Sequence, residues 1–221
     1  MITVWGRRNS LNVQKVMWAL GELGLDYQRH DIAGSFGVTP EYLKLNYKGT
    51  VPTIQDGELT LWESNVCVRY LAQNYGNGTL YPAAAESAAM ADQWMEFQTS
   101  TLMPAFFQIF LNMIRLPPEQ ANSKQQEAGV KACAKIFKEI DAYLSGKTYI
   151  AGDDFSMGDI PIGALLYRYF TLEIERPSLH NVEAWYQRLQ ERPAYAKHVM
   201  IPFGSNSEEW LVEEKRNASL Q

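Results

Sequence analysis

Short apolar–polar alternations and helix-period runs interleave along the first eighty residues, and beyond them only the helical period remains. "ITVW" reads as a short buried strand. Val13, Val16, Met17, Leu20 and Leu23 then recur on one face at helical spacing, and Gly24 ends that helix. "DYQRHDI" alternates as a second strand, and "TPEYLKLN" is a short helix with Pro40 in its first turn. "VPTIQ" and "ELTLW" flank Asp56-Gly57, a strong hairpin turn. From Ser64 a helix runs through "SNVCVRYLAQNYG" to about Gly76. The order β-α-β-α-β-β-α points to a thioredoxin-like α/β domain over residues 1–81, although order alone does not establish it.

"GNGTLYPAAAESA", rich in Gly, Pro and small residues, reads as a linker. After it the pattern predicts an all-helical domain over residues 87–203. A long helix spans about Glu86 to Arg115, bent or broken near Pro104, and Pro117-Pro118 ends it. Another runs from about Glu119 to Leu144. "FSMGDIPIGALLYRYF" is a buried apolar helix and "HNVEAWYQRLQERPAY" an amphipathic one. The stretch 204–221 is a charged tail, expected to be mobile unless Trp210 docks it.

Composition narrows the function. With 46% apolar residues the 221-residue chain can bury a sizeable core, and a net charge of −5 argues against general nucleic-acid binding. No apolar run is long enough to cross a bilayer, and the first residues do not resemble a signal peptide. Cys67 and Cys133 stand far apart with no CxxC, and His30, His180 and His198 have no metal-ligand spacing. A cytoplasmic chain without a metal or membrane partner is expected.

Four features in order carry a resemblance: Ser10 and Asn12 at the mouth of the first helix, "GTVPTI", "ESNVCVRYL", and "FSMGDI" opening a buried helix. Together with the α/β-then-all-α layout, they make the chain resemble the cytosolic glutathione transferases over nearly its whole length. The Ser-x-Asn loop is closest to the theta, zeta and nu-like bacterial type. The resemblance implies glutathione as co-substrate on the thioredoxin-like domain, an apolar second pocket in the helical domain, and a homodimer.

Read alone, "GTVPTI" could be an ordinary turn with trans Pro52. The resemblance implies a cis Val51-Pro52 bond, which only proline makes realistic. The backbone of Val51 would then pair with the cysteinyl unit of glutathione as with an added strand. Ser64 stands where strand gives way to helix, so it could simply be a cap. The resemblance makes it the receiver of the γ-glutamyl carboxylate at a helix N-terminus, with Glu63 facing the ammonium.

A thiol titrates at roughly 8.5, so activation needs a donor aimed at the sulfur and a helix N-terminus behind it. Ser10 falls where theta and zeta members place a catalytic serine, and Asn12 where nu members carry an asparagine. Capping competes with catalysis as a role for Ser10, and more closely for Asn12. Asn12 also stands where the beta class has a cysteine, so no mixed disulfide can form there. Phe36, near a histidine position of theta relatives, cannot pair with the glycyl carboxylate; Lys48 or Arg8 would have to. Asp92 matches an acidic position that reaches glutathione across the dimer. Phe106, Phe107, Phe110 and Met113, with Tyr167, are candidates for the electrophile pocket, although such a cluster also suits a core. Ser156 and Asp159 form a near capping box and read as folding rather than chemistry.

Three functions follow. The leading one is conjugation of glutathione to a hydrophobic electrophile, and the second is glutathione-dependent disulfide reduction. The third is a non-catalytic glutathione or ligand-binding module.

Overall fold

In β1 (Ile2–Trp5), Ile2 and Val4 are buried while Thr3 and Trp5 are half-buried, the alternation that a pleat imposes. β1 is one of the two inner strands of a four-stranded sheet in a computed structural model that describes residues 1–218. It is followed by α1 (Leu11–Glu22), β2 (Tyr27–His30), α2 (Pro40–Leu45), β3 (Thr53–Asp56), β4 (Leu59–Trp62) and α3 (Ser64–Tyr75). The sheet order is β2-β1-β3-β4. β1 runs parallel to β2, with Ile2 opposite Tyr27, and antiparallel to β3, with Val4 opposite Ile54. β3 and β4 close as the hairpin expected at Asp56-Gly57, where Gly57 has φ 58°. The β-α-β-α-β-β-α order of the sequence is therefore the order observed.

α1 packs on α3 on one side and on helices of the second half on the other. It is consequently buried nearly all round. Gln14, Lys15 and Trp18 lie in the interior beside the apolar stripe that the sequence indicates. Trp18 reaches Gly163 so closely that a Cβ there would stand 2.9 Å from its ring.

The second half is helical: α4 (Ala85–Phe97), α5 (Met103–Phe110), α6 (Ser123–Tyr143), α7 (Asp159–Thr171), α8 (His180–Gln190), α9 (Pro193–His198) and α10 (Ser207–Ala218). Pro104 does not break the long first helix, whose backbone stays helical on both sides of it. The turn before it, 98–102, widens to the π type, as does the turn 111–115 that follows α5. α6 begins later than the periodicity suggests, because Asn122 accepts from Gln125 N (3.2 Å) and caps it. The single helix expected over "HNVEAWYQRLQERPAY" is two. Pro193 forces Arg192 into an extended conformation (φ −81°, ψ 120°), so α8 stops and α9 starts afresh.

Asp159 opens α7 and ties three segments together. Its Oδ2 accepts from Ser156 N (2.9 Å), and its Oδ1 from Ile150 N (2.9 Å) and Trp185 Nε1 (3.0 Å). The local box read from the sequence is present, and two further donors come from outside it.

The tail is docked rather than loose. Asn206 Oδ1 accepts from Glu208 N and Glu209 N to start α10. Trp210 is buried, edge-on to Phe110 at 5.5 Å, with the Arg115 guanidinium 4.8 Å over its ring. Glu214 meets Arg7 Nε at 2.7 Å and accepts from Ser35 N at 2.8 Å. The last three positions of the predicted tail lie outside the described residues. Truncating Trp210 to Ala removes the anchor and is expected to cost α10 about 3 kcal/mol. Amide exchange in 207–218 should accelerate roughly 100-fold while α1 and α7 keep their protection. Unchanged protection in α10 would show that the helix does not depend on this anchor.

Candidate functional site

The loop before β3 is held from behind. Asn46 Nδ2 donates to Thr50 O (2.9 Å) and Thr53 Oγ1 (3.2 Å), and the Tyr42 hydroxyl lies 2.9 Å from Thr53 Oγ1. The Val51-Pro52 bond is cis, and among the described residues no backbone hydrogen bond engages Val51. Its N–H and C=O are thus available to an extended peptide.

Glu63 precedes α3 with φ 68°, a conformation that costs a non-glycine residue about 1–3 kcal/mol. It turns the carboxylate outward to Lys48, whose Nζ is 3.6 Å away and lies over the Trp62 ring. Ser64, buried at the first position of α3, donates from Oγ to Asn12 Oδ1 at 3.3 Å. Asn12 is half-buried, and with Oδ1 occupied its NH2 group is the remaining donor.

Ser10 occupies the cap position of α1 with extended backbone (φ −75°, ψ 125°), yet its side chain makes no capping bond. Among the described residues its hydroxyl has no hydrogen-bond partner, and Ser10 is half-buried. The backbone just before it is anchored from α7, where Arg168 Nη2 donates to Asn9 O (2.6 Å) and Gln14 Oε1 (3.2 Å).

The family-model comparison matches the glutathione S-transferase N-terminal domain over residues 1–73 and the C-terminal domain over residues 97–193. The chain is 40% identical over 206 residues to glutathione S-transferase GstB of Escherichia coli K12, covering 91% of this chain and 99% of that protein. This chain belongs to the glutathione S-transferase family. A solved theta class glutathione S-transferase of Xanthomonas axonopodis pv. citri, with glutathione bound, superposes with a TM-score of 0.89 at 43% identity. That match covers 92% of this chain and 99% of the other. A probable glutathione S-transferase of rice, GSTF1, is 31% identical over 221 residues, covering 92% of this chain and 99% of the rice protein.

Other sequence-derived candidates of this family member fall in several places. Arg8 donates to Lys197 O (2.9 Å), so it is committed to the end of α9. Phe36 is exposed in the turn 34–36. Asp92, on α4, is held by Arg69 at 2.6 Å, with Glu96 as the second partner. Met113 and Tyr167 line a cavity of about 370 Å³ together with Leu172, Phe203 and Glu209. Phe106 and Phe110 are core residues, the latter under Trp210 and the Arg168 guanidinium, whereas Phe107 is exposed. A larger cavity of about 560 Å³, walled by Glu22, Asp153, Asp154 and Arg192, contains none of the predicted site residues. Among the described residues no group of three His, Cys, Asp or Glu could hold a metal ion, and no helix is long and apolar enough to cross a membrane. His30 stacks on Trp5, and His198 packs against Tyr27.

Sequence reasoning missed Lys15. It is buried beneath Ser64, to which its Nζ donates at 3.4 Å. The available signal was its position three residues after Asn12, which puts both on one face of α1. Burial pushes Lys15 down to about 7, with Glu63 acting in the opposite direction.

Proposed function

We propose that this protein conjugates glutathione to hydrophobic electrophiles, with residues 1–81 binding glutathione and 87–203 shaping the electrophile pocket. In this reading the γ-glutamyl carboxylate sits at Ser64 on the N-terminus of α3, and its ammonium faces Glu63. The cysteinyl backbone pairs with Val51 beside Pro52. The thiol gives its proton to water, and the thiolate forms an S–C bond while the leaving group departs with its electron pair. Ser10 Oγ donates to the developing sulfur anion, assisted by the start of α1. Met113 and Tyr167, which line one cavity, are the proposed electrophile contacts, with Phe110 supporting Phe203 of that cavity from the core and exposed Phe107 as a further candidate on α5. Lys48 and, across a homodimer, Asp92 are further glutathione contacts. A cytoplasmic setting suits this chemistry.

The observation carrying the reading is the uncommitted Ser10 hydroxyl at a helix mouth. A second reading, glutathione-dependent disulfide reduction, is favoured by the free amide donor of Asn12 two residues further on. There the thiolate attacks sulfur, forming one S–S bond as another breaks, and a second glutathione releases the product thiol. Turnover of an activated aryl halide, compared with that of a small symmetric disulfide at equal glutathione, separates the two. We expect the halide to be the better substrate. Faster disulfide turnover would make the protein an oxidoreductase, and glutathione binding without either reaction would make it a binding module.

A further inference from the structure

Lys15 is a buried cation surrounded by neutral oxygens. Its Nζ donates to Gln98 Oε1 at 2.9 Å, Asn65 Oδ1 at 3.3 Å and Ser64 Oγ at 3.4 Å. Among the described residues no carboxylate comes within ion-pair distance of it. The Gln98 side chain is fully buried, and its Nε2 has no hydrogen-bond partner. The three Lys15 protons therefore have three neutral acceptors but no anion, and the Gln98 amide donor beside them has no acceptor at all. A buried ammonium without a counter-charge is costly, whereas one that meets an anion can recover that cost.

We propose that Lys15 is a positioning residue for the γ-glutamyl carboxylate of glutathione, supplying through Ser64 the counter-charge that this carboxylate meets at α3. The inference rests on the glutathione site proposed above. Ser64 Oγ accepts from Lys15, so its single proton must point elsewhere, and here it goes to Asn12 Oδ1. A carboxylate above Ser64 competes for that proton, and donation to it releases Asn12 Oδ1. Recognition of one end of glutathione is thereby linked to a side chain beside the thiol end.

The electrostatics add a testable sign. Glu63, itself paired with Lys48, is the charge that acts on Lys15 among the described residues. The elements packed around Nζ otherwise present neutral groups, Ser64 and Asn65 from α3 and Gln98 from the turn after α4. With its pKa lowered to about 7, Lys15 is partly neutral in the free protein at slightly alkaline pH. An arriving carboxylate favours the charged form, so binding must take up a proton there.

The probe is S-methylglutathione, which has no thiol to titrate, measured by calorimetry between pH 6 and 8 in two buffers of different ionisation enthalpy. The wild type should take up a proton fraction above pH 7, and its Kd should rise about tenfold from pH 6 to pH 8. Lys15→Met should bind about tenfold more weakly at pH 6, with no proton uptake and a flat profile. Lys15→Arg, charged throughout, should keep the affinity and lose the uptake. Pure structural damage would weaken binding without moving the proton count. Absence of uptake in the wild type overturns the proposal even if neither variant folds, and so does unchanged binding by Lys15→Met. If the wild type does not bind S-methylglutathione at all, the glutathione site itself is wrong, which is a distinguishable failure.

Discussion

Replacing Ser10 with Ala is expected to lower kcat/KM for conjugation about 100-fold, or roughly 2.7 kcal/mol of transition-state stabilisation. The loss should fall on kcat and leave the KM for glutathione nearly unchanged, because the hydroxyl is proposed to touch sulfur and not the peptide ends. The same difference implies that the pKa of the bound thiol rises by about two in the variant, visible as a displaced thiolate absorbance on pH titration. The cap position makes this a clean test. A Ser that caps a helix loses about 1 kcal/mol on truncation. Here the Ser10 side chain makes no capping bond, so the melting temperature should hold. The opposite pattern, full activity with a lowered melting temperature, would return Ser10 to a structural role and move the search for the activating group to Asn12.

Asp159→Ala is expected to lower stability by about 4 kcal/mol, or roughly 10 °C in melting temperature for a chain of this size. Three donors lose their acceptor at once: Ser156 N, Ile150 N and Trp185 Nε1. They belong to the start of α7, the segment before it and α8, so the loss loosens three segments together. Burial pushes the Asp159 carboxyl up to about 6, against the pull of these hydrogen bonds. The folded state therefore holds the proton more tightly than the unfolded chain. Its contribution is complete below about pH 4 and declines as the pH rises through 6, so the penalty of the Ala variant should be smaller at pH 8 than at pH 5. Glutathione affinity of the folded fraction should not change. A normal melting temperature with lost glutathione binding would place Asp159 in the site instead.

The two residues differ in how far local pattern reveals them. The Ser156–Asp159 box is legible because its partners are three residues apart, and the β3–β4 hairpin because Asp56-Gly57 imposes its own turn. The strand and helix order was readable for the same reason, since period 2 and period 3.6 are set by backbone geometry acting over a few residues. Pro193 was equally local: its effect on Arg192 was there to be read but was outweighed by the apolar period running through it.

Other features depend on residues that no local rule connects. Ser64 reaches Asn12 across 52 positions, Lys15 reaches Gln98 across 83, and Glu214 reaches Ser35 across 179. A lysine on an amphipathic helix is ordinarily assigned to solvent, and Lys15 is interior only because α1 is covered on more than one side. The same holds for α10, whose charged sequence gives little reason to fold until Phe110, Arg115 and Arg7 offer Trp210 and Glu214 their partners. Short-range sterics and hydrophobic period thus settled the elements and their order in the chain. Which polar groups share a buried space, and which hydroxyl is left free, was settled by packing between elements, because desolvation and hydrogen-bond partners exist only once those surfaces meet.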